Sequence, residues 1–228
     1  MQVTEPSAAA KTEGVAHTRP SVERWLCWSG LLPLPAFLLL HLGRELSLAT
    51  AMDVADVVRG TPSTFSVVTS ALLVWLPLAV HATLGVWSLT SRGPALVVLE
   101  PEVRPPARLV SRLCSAVALL FVLYHARYYP LSTMLGEADA RDAGLRLIGE
   151  LASTSWGVPL RGAVYLLGLG ATIAHGGLGV HRALLRLGIL DGASRRQASA
   201  RLCTVVAVLL FCVGVAAVIR VASGVLLR

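Results

Sequence analysis

Charge is scarce in this chain. Charged residues are 14% of its 228 positions, where a soluble domain carries about 25%. Lys11 is the single lysine among 20 basic residues, a bias that reads as genome composition and carries no mechanism. Cysteine is scarce too: Cys27, Cys114, Cys203 and Cys212 never form C-x-x-C or C-x-x-C-H. That excludes a zinc or iron–sulfur motif and covalent c-type haem. A cleavable leader is not predicted either, because the opening stretch MQVTEPSAAAKTEGVAHTRPSVE is too long and too acidic for one. Residues 1–22 read instead as a cytoplasmic tail ahead of a membrane domain, 23–228.

What is present is apolar length. Hydrophobic residues make up 55% of the chain and the mean hydropathy is +0.69. Five blocks are long enough to cross a bilayer, which takes about 20 helical residues. They run Arg24–Gly43, Ser66–Thr90, Leu109–Pro130, Val158–Leu187 and Leu202–Leu227. None alternates apolar and polar residues as a barrel strand would. The expected fold is all-α integral membrane, with five transmembrane helices. With the N-terminus inside, residues 1–24, 91–112 and 182–201 carry twelve bases against six acids, and the remaining segments eight against seven. This excess favours N-terminus in and C-terminus out. The basic charge therefore reads as orientation and lipid-surface attraction, with no nucleic acid as partner.

Histidine falls in a pattern. His41, His81, His125 and His175 stand one apiece in spans one to four, and span five has none. His17 lies in the tail, and His181 is turned off the His175 face at the inner interface. Ionisable residues inside a membrane are rare and functional by default. By helix rise, His81 and His175 lie roughly 10–16 Å from the inner charged edge, and His41 and His125 roughly 20–26 Å from it. The four sort into two layers of two. Paired imidazoles on facing helices make a bis-histidine site. With no carboxylate or thiolate beside them, a porphyrin, which needs only two axial ligands, is expected in each layer: two b haems in a four-helix bundle.

The neighbours fit a flat group. In LGLGATIAHGGLGVH, residues 167–181, His175 shares a face with Gly168, Ala171, Thr172 and Gly179, and Gly85 stands four after His81. Glycine permits close backbone approach, although Gly and Ala also serve plain helix packing in membranes. Phe37 and Phe121 each precede an outer histidine by four and are placed to pack on a porphyrin face or edge.

These strings resemble the dihaem cytochrome b anchor of succinate:quinone oxidoreductases, the five-helix type that includes related fumarate reductases. RWLCWSGLLPLPAFLLLH is similar to that family's first span, WLPLAVHATLGVW to its second and SRLCSAVALLFVLYH to its third. YLLGLGATIAHGGLG and SARLCTVVAVLLFCVGVAAVIR are similar to its fourth and its histidine-free fifth. The resemblance implies that His41 and His125 hold the distal haem and His81 and His175 the proximal one. It implies a flavoprotein and an iron–sulfur subunit as partners on the inner face, with electrons passing through the haems to quinone, commonly menaquinone, in a bacterial cytoplasmic membrane. The succinate site would lie in the partners and the quinone redox site in this chain. The chain departs from the family at Leu26 and Cys27, where members often have His-Ser, and at Cys114 and Ser115, where they often have Ser-Gly. Ile173 stands where some fumarate reductases carry a proton-conducting glutamate.

Charged candidates complete the expected site. Arg24 and Arg112 inside, and Arg44 and Arg127 outside, are placed to pair haem propionates or to anchor at the interface. Glu45, Asp53 and Asp56 are candidates for the quinone and proton site, or ordinary loop charges. Tyr124, Tyr128 and Tyr129 fit an interfacial aromatic belt. Two other readings stay open: a cytochrome b subunit of another respiratory dehydrogenase, and a haem-free transporter using its histidines for protons.

Overall fold

A computed structural model describes residues 19–31, 33–50, 68–90, 105–128, 130–137, 140–155 and 157–222. Their elements are α1 (Arg19–Leu31), α2 (Pro33–Thr50), a π-helical turn (Ala71–Trp75), α3 (Leu76–Thr90), α4 (Pro105–Tyr128), α5 (Pro130–Met134), α6 (Ala140–Ala152), α7 (Leu160–Arg186) and α8 (Ala193–Ala222). Among the described residues there is no strand, only an isolated bridge between Ser155 and Val158. Five segments are long and apolar enough to cross a membrane: Arg24–Leu42, Val68–Trp87, Leu109–Met134, Leu160–Arg186 and Ala193–Arg220. This is a multi-pass helical membrane protein.

Proline and glycine punctuate the helices. Pro33, Pro105 and Pro130 each open one, since the first helical turn needs no amide donor and the ring presets φ. α7 ends on Gly188, whose φ of 69° favours glycine. There Gly188 N–H donates to Leu185 O at 3.1 Å and Ile189 N–H to Leu184 O at 3.1 Å, closing the last carbonyls of the helix. Ahead of Pro77, whose missing amide disturbs the helical ladder, the second span loosens into its π-helical turn.

α7 is the central element. It packs lengthwise against α4 and α8 and also touches α1. Its buried residues Gly162, Tyr165, Gly168, Ala171, Ile173 and Ala183 are mostly small, which lets helices approach closely. The outward residues are large and apolar, among them Leu72, Leu73, Leu120, Leu167, Leu202 and Leu209, as a lipid-facing surface requires.

Two features differ from the sequence expectation. The last span begins at Ala193, nine residues before the expected Leu202. Its first turns carry Arg195, Arg196 and Arg201, which interrupt apolarity but favour helix. The segment between spans three and four holds an unexpected helix, α6, with Ile148 and Leu151 buried on one face and Asp142, Leu145 and Arg146 exposed.

Gly188→Ala should cost about 1 kcal/mol, the strain of a left-handed alanine. For a chain of this size that lowers the unfolding midpoint in detergent by roughly 2–4 °C. Gly188→Asn should lose less, because asparagine tolerates this conformation; equal losses would remove φ as the cause.

Candidate functional site

The structure brings the four span histidines together as two pairs. His81 on α3 and His175 on α7 have ring centres 6.0 Å apart with planes at 63°. His41 on α2 and His125 on α4 have ring centres 6.0 Å apart with planes at 58°. Each pair joins two different helices. Among the described residues no three His, Cys, Asp or Glu side chains converge.

The protonation of the first pair follows from its partners. His81 Nδ1 lies 3.2 Å from Leu26 O, and a carbonyl can only accept. The proton therefore sits on Nδ1. Ser29 supports the arrangement: its hydroxyl donates to the same carbonyl at 3.1 Å and its oxygen lies 3.3 Å from Nδ1. His175 Nδ1 lies 3.0 Å from Ser115 Oγ. The Ser115 hydroxyl donates to Ser111 O at 2.8 Å, so its oxygen is left to accept from His175. His81 thus carries its proton on Nδ1 and keeps a lone pair on Nε2, and His175 does the same while the Ser115 hydroxyl donates to Ser111 O. That is the tautomer of a metal-binding imidazole oriented through its other nitrogen.

The second pair is set in aromatics. Phe37 stacks on His41 with centres 5.3 Å apart and planes at 9°, and Phe121 stacks on His125 at 5.9 Å and 20°. The two phenylalanines therefore lie against the imidazoles. Tyr165 OH sits 3.3 Å from His125 Nδ1. Beside it, Tyr124 OH donates to Glu150 Oε2 at 3.1 Å, and Arg161 lies 3.5 Å from the other oxygen of that carboxylate. α6 supplies Glu150 and Leu151, which close this end of the bundle.

The ring-centre separation in each pair is compatible in distance with a metal ion between them. With nitrogen–metal bonds of about 2 Å, two axial imidazoles have ring centres a little over ~6 Å apart, whatever their mutual rotation. Two side chains per level leave the remaining positions to a ligand with four donors of its own, as a porphyrin has. The positions four after each histidine of the first pair are open: a Cβ at Gly85 or Gly179 would meet nothing within 4 Å. Gly168 behaves differently. Its missing side chain is replaced by the ring of Phe121, so it is a packing notch between α4 and α7 and not part of an open cradle. Gly30 is also a contact glycine, since a Cβ there would stand 2.6 Å from His81 Cε1.

The other sequence candidates are scattered. Arg24 and Arg112 are exposed. Arg127 pairs with Glu137 at 2.6 Å, on the turn after α5. The side chains of Arg44 and Glu45, and all of Asp53 and Asp56, lie outside the described residues. His181 meets Ser199 of α8 at 3.1 Å from its Nδ1. Sequence reading missed Leu26 O, Ser29, Ser115, Tyr165 and Glu150 as parts of the site, and Arg182, which donates to Ser111 Oγ at 2.6 Å. A signal existed. From Ser115–His175 to His125–Tyr165 the contacts advance ten residues on α4 and retreat ten on α7, so one assigned contact predicts the other.

The glycines separate these roles experimentally. Gly30→Ala and Gly168→Ala should each destabilise the protein by about 1–3 kcal/mol, the range for overpacking. Gly85→Ala should be neutral or stabilising by up to about 1 kcal/mol. Denaturation of the three variants in detergent, as haem-free protein, checks this, and a costly Gly85→Ala there would mean that helix–helix contact claims that position too. No protein family, curated protein or solved structure matches this chain, so a functional reading rests on the two pairs and the helices that hold them.

Proposed function

We propose that this chain is the dihaem cytochrome b membrane anchor of a succinate:quinone oxidoreductase, carrying electrons between an iron–sulfur subunit and a quinone, with menaquinone the expected one. One observation carries the reading: two imidazole pairs on four apolar segments, each with ring centres 6.0 Å apart, with the Nδ1 proton of His81 held on the Leu26 carbonyl. A proton-carrying histidine would gain from exchangeable partners at both nitrogens. The Leu26 carbonyl, which only accepts, instead holds His81 in one tautomer.

His81 and His175 hold one haem in this reading, and His41 and His125 the other. Two b haems supply one-electron carriers whose potentials depend on axial ligation, burial and hydrogen bonding. The chain's own residues do the rest. Ser115, Leu26 O and Ser29 orient the first pair. Phe121, one turn from His125 and seated against Gly168, fills the bundle between the two levels. The apolar spans keep water from the pairs. In the orientation that charge favours, with the N-terminus inside a bacterial cytoplasmic membrane, His81 and His175 face the side where the flavoprotein and iron–sulfur subunits dock. The quinone site then lies toward the His41–His125 end, with Arg44, Glu45, Asp53 and Asp56 as candidates for exchanging its protons. Arg24 and Arg112 at one end, and Arg44 and Arg127 at the other, are the cations for propionates. Arg127 would first have to leave Glu137.

The purified protein should give a reduced-minus-oxidised spectrum of b-type haem, with two haems extracted per chain. His81→Ala and His125→Ala should each remove a different one. One haem would reduce one pair to a structural contact. None, after expression with ample haem, would overturn the cytochrome reading and return the histidines to proton transport.

A further inference from the structure

We infer that Tyr165 is a positioning residue for the second pair, its phenol oxygen accepting the Nδ1 proton of His125 and so tuning the haem at that end independently of the other. The inference rests on the proposed function and extends it to a residue outside the four ligands.

Tyr165 is 6% exposed, and a buried phenol requires a hydrogen-bond partner. His125 Nδ1, at 3.3 Å, supplies one. The ring is clamped from two sides, edge-on to Phe121 at 5.3 Å and to Tyr124 at 6.1 Å, and it packs with Leu151, the most buried side chain of that cluster. The hydroxyl is therefore aimed by packing. A histidine that binds iron through Nε2 carries its proton on Nδ1. The imidazole then donates, and the phenol oxygen accepts.

Acceptors on that proton raise the basicity of the ligand. A more basic imidazole stabilises ferric over ferrous iron and lowers the midpoint potential. In the first pair this task falls to Ser115 and the Leu26 carbonyl, so the two levels are supported by different chemistry. α7 takes part in both: His175 is a ligand in one, and Tyr165, ten residues and about 15 Å earlier, orients a ligand in the other. Two redox centres in one bundle can thus be set separately by single hydroxyl groups on α4 and α7.

The test is a redox titration with low-temperature electron paramagnetic resonance on the full-length protein with its haems, comparing wild type, Tyr165→Phe, Tyr165→Gln and Ser115→Ala. The second-pair signal is identified as the one lost in His125→Ala. Tyr165→Phe keeps the ring packing and should retain both haems, raise the midpoint of the second-pair haem, shift its resonance and leave the first unchanged. Ser115→Ala should do the reverse. Tyr165→Gln, which restores an acceptor, should bring the midpoint back toward wild type. Two haems whose midpoints stay put in Tyr165→Phe, move together, or respond alike to Phe and Gln would overturn the inference and leave the proposed function standing. A wild-type protein that binds no haem would overturn both.

Discussion

An imidazole placed between apolar helices must have its polar atoms engaged, and at His81, His175 and His125 that engagement crosses from one helix to another. Leu26 O on α1 holds His81 on α3. Ser115 on α4 holds His175 on α7, and Tyr165 on α7 holds His125 on α4. Leaving such a group unsatisfied costs about 1–3 kcal/mol, so each of these bonds is both an orienting contact and a helix-packing contact. Assembling the bundle and forming the candidate site are therefore one process. The close approach this requires explains the glycines: Gly30 leaves room for the His81 ring and Gly168 for Phe121.

The two ends of the bundle are built from different materials. Around His81 and His175 stand small groups: serine hydroxyls, a backbone carbonyl and glycine. Around His41 and His125 stand rings, namely Phe37, Phe121, Tyr124 and Tyr165, closed over by α6. Glu150 at that end is partly buried yet shared between Tyr124 and Arg161, which spares it an isolated charge in an apolar setting. Any pair of centres held here sits in two unlike environments, connected through α4 and α7.

The spans were legible in the sequence because a bilayer demands about 20 apolar residues and nothing else in the chain satisfies that demand. That His41 meets His125, and His81 meets His175, was legible from charge position and helix rise, without knowing a single contact. The supports were not. Ser115 and Tyr165 lie 60 and 40 positions from the histidines they hold, and serine and tyrosine are common in membrane helices for other reasons. The apolar criterion that finds spans also passes over α6, whose buried face is narrow, and over the arginine-bearing first turns of α8. What the glycines do was ambiguous from sequence, because open space and close packing favour the same residue. Only the position of Phe121 separates Gly168 from Gly85.

The seam between α4 and α7 shows how the register is fixed. Ser111, Ser115, Ala118, Phe121 and His125 form one stripe on α4. Arg182, His175, Ala171, Gly168 and Tyr165 form the answering stripe on α7. Hydrogen bonds join it at both ends, a large side chain meets a glycine near the middle, and Ala118 and Ala171 are buried at matching levels. Sliding α7 by one turn would bring Ala171 or Gly179 to the Ser115 oxygen, neither of which donates from a side chain. It would bring Val164 or Thr172 under Phe121, where a branched side chain would stand in place of a notch. It would bring Arg161 or Leu169 to His125. Either one-turn slide therefore loses the Ser115–His175 and His125–Tyr165 contacts and overfills the centre at once. Polar groups in an otherwise apolar interface act here as they do in coiled coils, specifying alignment. The hydrogen bonds that give the histidines their orientation are also what stops the helices from settling anywhere else.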